Sequence, residues 1–385
     1  MGEGIEERNR HGNLSFRYGY GPNLLPTPGG DIDMWRYQAL LPRPDEKTTY
    51  PLQVGGTPLR SVLGLGIPDL WLKDETVGPS ASNKDRATAL VIDGGLRCGA
   101  TVVATASTGN AAVSTAIGAA AAGLTAVIFV PEDCLAAKVD AMTAAGAQVF
   151  RVREGYRAAF DLSRNVAARF GWVDRNTGVN PVTIEAKKTV AFEIWEQLGH
   201  RVPDVVAVPV GDGPTLVGLA KGFRELKACR AVATLPRIIA VQAGGCAPLA
   251  DAWFGRTTSV PDAGATSADG IAVPSPSIGA WTLDEVRHTA GTFVTVSEEE
   301  ISHAVRDLEQ LAGVRSEPAG AAALAGLRQA AATGLVASGE TAVTLVTGAD
   351  LPPQRRPRGR RGSVWTIHAR PDAVAEALAG IPLRA

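Results

Sequence analysis

The sequence predicts an α/β fold whose parallel sheets are covered by helices on both faces. Two observations carry this. Short, mostly apolar β-branched runs recur at Leu70–Lys73, Thr101–Thr105, Ala126–Val130, Gln148–Val152, Val205–Val210, Arg237–Gln242, Thr292–Val296 and Ala342–Val346. Between them lie Ala- and Leu-rich helical stretches near Asp85–Arg97, Ala111–Ala122, Cys134–Ala145, Tyr156–Phe170, Ile184–Leu198, Leu216–Leu226, Glu298–Leu311 and Ala319–Ala332. A strand with no polar face must be covered on both sides, and alternating helices supply both the cover and the crossovers that parallel neighbours need.

At 385 residues the chain has length for two domains. The expected division is an N-terminal extension over 1–50, a large domain from 51–95 and 181–350, a small domain over 96–180, and a tail over 351–385. Residues 1–50 are rich in Pro, Gly and charge and read as a surface wrap. Residues 352–362, PPQRRPRGRRG, read as a solvated basic linker before a terminal helix at Asp372–Ala379.

Composition narrows the function. Hydrophobic residues make up 45 % and charged residues 20 %, which excludes a disordered chain. The 38 Lys+Arg against 39 Asp+Glu give a net charge of -1, so neither nucleic acid nor an anionic membrane is expected as partner. The four cysteines, Cys98, Cys134, Cys229 and Cys246, are far apart, which argues against a disulfide framework or structural zinc and for a reducing, cytoplasmic compartment. The N-terminal stretch MGEGIEERNRHGNL has no apolar core, so no signal peptide is expected. The longest apolar stretch, Ala111–Val130, is interrupted at Gly123 and reads as helix then strand, not as a membrane span.

Four motifs sit at the ends of predicted strands, where open α/β sheets bind ligands. Ser80-Ala81-Ser82-Asn83-Lys84-Asp85-Arg86 places a lysine at a turn; such a lysine is either a solvated cation or an amine able to attack a carbonyl. Ser107-Thr108-Gly109-Asn110 opens a helix, either as a plain cap or as a cradle for a carboxylate. Gly211-Asp212-Gly213-Pro214-Thr215 follows a strand and precedes a helix, which suits a phosphate; Asp212 is expected to point away from it. Thr347-Gly348 ends the last strong strand and offers a hydroxyl to a ring nitrogen. The five histidines (His11, His200, His288, His303, His368) fall outside every motif, and no metal-ligand spacing or Ser-His-Asp set is present.

Taken in register, the motifs resemble the fold-type II enzymes of pyridoxal 5'-phosphate, particularly threonine synthases. The match runs through GGTPL (55–59), SNKDR (82–86), STGNAA (107–112), KKTVAFEI (187–194), VPVGDG (208–213), VQAGGCAPL (241–249), EPAGAAALAGL (317–327) and VTG (346–348). The resemblance implies that Lys84 holds the cofactor covalently and that Asn110 partners its 3'-oxygen. It also implies Gly211–Thr215 as the phosphate cradle, Thr347 on the pyridine nitrogen, and Ser107–Asn110 on the carboxylate of an amino-acid substrate. Asn83 and Lys187 depart from the usual pattern near the expected pocket, where relatives carry an apolar residue and a glutamine, and are read as substrate-binding candidates. Lys187 would favour an anionic leaving group or nucleophile. A homodimer is what the family implies.

The expected reaction is elimination or replacement at Cβ or Cγ. The alternatives are β-elimination or β-replacement on serine, threonine, O-phosphoserine or an O-acyl serine, and a nicotinamide-dependent oxidoreductase. The last lacks a complete G-x-G-x-x-G with its acidic partner.

Overall fold

Each of the eight apolar runs is a strand in the computed structural model, which describes residues 4–27, 29–30, 33–43, 47–256, 265–350, 361–379 and 381. In chain order the strands are β1 (Ile5–Arg8), β2 (Leu14–Arg17), β3 (Leu59–Ser61), β4 (Leu70–Asp74), β5 (Val102–Ala106), β6 (Thr125–Pro131), β7 (Gln148–Val152), β8 (Val173–Asp174), β9 (Val205–Pro209), β10 (Arg237–Ala243), β11 (Thr292–Val296), β12 (Ala342–Val346) and β13 (Val364–Ile367). The helices are α1 (Lys84–Arg97), α2 (Asn110–Ala121), α3 (Ala136–Ala144), α4 (Gly155–Phe170), α5 (Val182–Lys187), α6 (Thr189–Gln197), α7 (Pro214–Ala228), α8 (Pro248–Phe254), α9 (Gly279–His288), α10 (Glu298–Ala312), α11 (Pro318–Ala332) and α12 (Pro371–Leu378).

The chain forms two compact units, one of Met1–Asp45, Gly55–Val77 and Ile184–Leu351, the other of Glu46–Val54, Gly78–Thr183 and Pro352–Ala385. The first holds a six-stranded sheet in the order β11-β10-β9-β12-β4-β3, parallel except where β3 runs against β4. Its β9, β10 and β12 alternate side chains between two cores. Ala207, Val241 and Val346 join α11 on one face; Val206, Ala240 and Leu345 join α6 and α7 on the other. Helix α10 starts on a capping box, Ser297 Oγ accepting from Glu300 N and the Glu300 carboxylate accepting from Ser297 N.

The second unit holds an all-parallel sheet in the order β13-β7-β6-β5-β8. Its core includes a ring stack, with Phe129 and Phe150 centroids 5.4 Å apart and Phe150 and Trp365 centroids 4.9 Å apart. Helix α4 contributes Ala159, Leu162 and Val166, one stripe at helical spacing.

The structure corrects the expected domain limits. Residues 78–95 belong with the second unit, not the large one, because α1 packs on α2. The tail is not a mere appendage either: β13 pairs in parallel with β7 and extends that sheet. Most of the basic linker, residues 351–360, lies outside the described residues. Nor is the N-terminal stretch only a wrap. It forms the β1–β2 hairpin, and Met34, Tyr37 and Leu40 are fully buried. The single helix expected at Ile184–Leu198 is interrupted at Lys188. There the Lys188 ammonium turns inward to Glu185 (2.6 Å) and Glu225 (2.8 Å).

Helix α11 lies so close on the sheet that a Cβ added at Gly326 would stand 2.4 Å from Val241 Cγ2. Gly326→Ala is therefore expected to destabilise the protein by about 1–3 kcal/mol through overpacking, despite alanine's better helix propensity. Urea unfolding checks this: a midpoint at or above that of the wild type would show that the helix lifts away freely.

Candidate functional site

The SNKDR turn closes around a buried carboxylate. Asp85 Oδ2 accepts from Ser80 N at 2.8 Å, and its Oδ1 accepts from Ser114 Oγ at 2.7 Å. Ser114 lies on α2, so this bond locks the first turn of α1 to the early turns of α2 and brings their N-termini to one end of the second unit. The turn is strained: Ala81, though not glycine, sits at φ +60°. Lys84 opens α1 and is half-buried, its Nζ donating to Asn83 Oδ1 at 2.8 Å. The buried Asn83 carboxamide thus has the lysine itself as a partner.

The serine–threonine–glycine turn lies at the neighbouring helix end. Ser107, Thr108, Gly109 and Asn110 are all half-buried, and the N-cap of α2 is Gly109, which has no side chain to cover the helix end. Ser107 Oγ accepts from Gly109 N at 3.2 Å and holds the turn. The turn is held from behind by Asn176, whose Oδ1 accepts from Ala106 N at 2.7 Å and whose Nδ2 donates to Ser163 at 3.0 Å. The first N–H groups of an α-helix have no intrahelical acceptor and carry the positive end of its dipole, so this end suits a carboxylate.

The first unit gathers the other candidates. Gly211–Thr215 follow β9, and α7 starts on Gly213 with Pro214 as its first residue. Strand β12 lies beside β9, their pairing ending with Thr344 opposite Ala207, and Thr347 directly follows β12. Thr347 is 7 % exposed. Lys187, 2 % exposed, ends α5 against α7, close enough that a Cβ on Gly218 would lie 2.8 Å from its own Cβ. The Asp212 carboxylate accepts from Ser277 N (2.5 Å) and Ser277 Oγ (2.8 Å). Burial raises its pKa, against the Ser277 hydrogen bonds and the charge of Lys187.

Sequence reasoning missed Ser114, Asn176 and Arg175, the residues that order these loops from behind. Their signal was weak, since a serine inside an alanine-rich helix and an Arg-Asn pair in a polar turn look like ordinary surface.

Three comparisons bear on this arrangement. The family model for pyridoxal-phosphate dependent enzymes matches residues 50–348. Threonine synthase of Methanosarcina acetivorans is 34 % identical over 354 residues, 90 % of this chain and 87 % of that one. Threonine synthase of Mycobacterium bovis is 35 % identical over 346 residues, 89 % of this chain and 94 % of that one. Among solved structures, the processed form of threonine deaminase isoform 2 from Solanum lycopersicum superposes with a TM-score of 0.65 at 25 % identity, covering 77 % of this chain and 79 % of that one.

The glycine loop fits a phosphate. A Cβ on Gly211 would lie 3.0 Å from Ile271 Cα, and one on Gly213 would lie 1.9 Å from Thr282 Oγ1; Gly213 also adopts φ +103°. Only bare backbone fits here, and it leads directly into a helix N-terminus. Gly213→Ala should cost about 1–3 kcal/mol in strain and release cofactor on dialysis. Cofactor retention equal to that of the wild type would move the phosphate elsewhere.

Proposed function

This chain belongs to the pyridoxal-phosphate dependent enzymes, and we propose that it eliminates or replaces a group at Cβ or Cγ of an amino acid in the manner of the threonine synthases. The observation that carries this reading is the Asp85–Ser114 bond, which holds a lysine-bearing helix start beside an uncovered helix N-terminus. That pair is what an α-amino acid needs: an amine at its Cα and donors for its carboxylate. Membership of this family leaves the nicotinamide alternative without support.

The cofactor, when bound, supplies the electron sink, and the protein chooses which bond breaks. Lys84 Nζ would hold it covalently and, as a free amine beside Cα, would take the Cα proton and later return it. The N-terminus of α2, from Ser107 to Asn110, would bind the carboxylate, and Asn110 would also partner the cofactor's 3'-oxygen. Backbone N–H groups of Gly211–Thr215 hold the phosphate. Thr347 would offer the ring nitrogen a neutral hydroxyl in place of a carboxylate, a pairing that suits elimination and replacement over transamination. Lys187 would favour an anionic leaving group or nucleophile, and Asn83 would offer the substrate a carboxamide. A cytoplasmic homodimer goes with this reading, and the four free thiols, Cys98, Cys134, Cys229 and Cys246, support a reducing compartment.

Two outcomes test it. Lys84→Ala should lose the visible absorbance of lysine-bound cofactor and nearly all turnover. Borohydride reduction of the wild type followed by peptide mapping should label Lys84; a label on Lys187 or Lys188 would reassign the site. The second test compares kcat/KM for O-phosphohomoserine, O-phosphoserine, serine and O-acetylserine. O-phosphohomoserine should lead, given the buried cation at Lys187. A lead for O-phosphoserine, serine or O-acetylserine would favour the β-eliminating or β-replacing alternative, which the 25 % identical threonine deaminase fold accommodates.

A further inference from the structure

Arg175 is fully buried, directly after the short strand β8, and no part of the chemistry above calls on it. Its Nη2 lies 3.4 Å from the backbone carbonyl of Lys84, its Nη1 donates to Thr177 Oγ1 at 2.7 Å, and its Nε donates to Thr88 Oγ1 at 3.2 Å. Thr88 Oγ1 is in turn 2.8 Å from Ser114 Oγ, and Ser114 Oγ is 2.7 Å from Asp85 Oδ1. Thr88, Ser114 and Asp85 are all buried.

The proton inventory fixes the direction of this chain. A guanidinium only donates, an ionised carboxylate only accepts, and each hydroxyl has a single proton. Ser114 therefore gives its proton to Asp85, Thr88 gives its own to Ser114, and Arg175 supplies the proton that Thr88 accepts. The chain begins at a buried cation and ends at a buried anion, with no slack in either hydroxyl. Both of its ends lie beside Lys84, at its carbonyl through Arg175 and at the next residue through Asp85. Burial pulls the guanidinium pKa down to about 10 while the carboxylates of Asp85 and Asp174 hold it up, so Arg175 stays charged at neutral pH.

We propose that Arg175 is a positioning residue, which through Thr88 and Ser114 fixes the backbone of Lys84 so that its amine meets the cofactor's aldehyde carbon. This rests on Lys84 being the cofactor lysine, which peptide mapping of the reduced wild type tests separately. A misplacement of about 1 Å at an attacking atom is enough to slow a reaction by up to ~100-fold.

Three variants of the full chain decide it: Thr88→Val, which removes the hydroxyl at similar volume, Thr88→Ser, which restores it, and Arg175→Gln. Each is freed of cofactor, melted to confirm folding, and then mixed with pyridoxal phosphate, and the rate at which Lys84 becomes borohydride-trappable is followed. Thr88→Val and Arg175→Gln should trap about tenfold or more slowly, while Thr88→Ser should stay within about twofold of the wild type. Should Arg175→Gln fail to fold, the Thr88 pair carries the test alone. Trapping at the wild-type rate in folded Thr88→Val, or slow trapping that Thr88→Ser does not restore, overturns the proposal and leaves the chain a purely structural feature. A label on another lysine in the wild type removes the reading beneath it, and the proposal falls with that reading.

Discussion

A carboxylate buried without partners is expensive, and much of the second unit is arranged so that Asp85 is not left in that state. It takes a backbone N–H from Ser80 and a hydroxyl from Ser114, and the positive charge of Arg175 faces it. These demands shape the sequence around it. A Cβ on Gly78 would stand 2.6 Å from Asp85 Oδ2, so the turn must begin on glycine. The chain then passes through a left-handed Ala81 before α1 starts on Lys84. Such strain persists only where the surroundings over-determine it, and here one anion supplies the anchoring.

The first unit solves a similar problem on a larger scale. Lys188 and Lys221 alternate with Glu185 and Glu225 at 2.6–3.1 Å, all four nearly or fully buried. Burial alone would raise the Glu185 carboxyl, yet the two ammonium groups hold it below the usual range. The N-terminal segment closes this cluster: Tyr18 OH donates to Glu185 at 2.9 Å, Tyr20 OH to Glu225 at 3.2 Å, and Lys221 Nζ to the carbonyl of Phe16. A second buried pair, Lys73 with Glu193 at 2.7 Å, shares Thr57 as a partner. Removing one member of such a group leaves an uncompensated charge, so these lysines are tied to their positions even though the proposed chemistry uses none of them.

The two units use the same device at the ends of their sheets. Parallel strands deliver their loops to one edge of the sheet, and each loop opens a helix whose first N–H groups lack intrahelical acceptors. At Gly109 and Gly213 the helix starts on a residue with no side chain, so neither end is covered by its own cap. By contrast α10, which the proposed chemistry does not use, is closed by a capping box.

Periodicity and turn chemistry are local, and they were enough to place the eight buried strands, most of the helices and the four loop motifs from Lys84 to Thr347. Buried parallel strands have a recognisable composition. What the sequence could not determine was which distant residues meet. Tyr18 and Tyr20 read as part of a polar extension because their partners lie more than 160 residues away. Strand β13, half-exposed and short, has no pattern of its own and exists because β7 offers an edge and Phe150 a ring for Trp365. Arg175 looked like any surface arginine until the fold enclosed it. Its meaning depends on Thr88 and Ser114 having one proton each and arriving side by side, and that is decided only by packing α1 on α2.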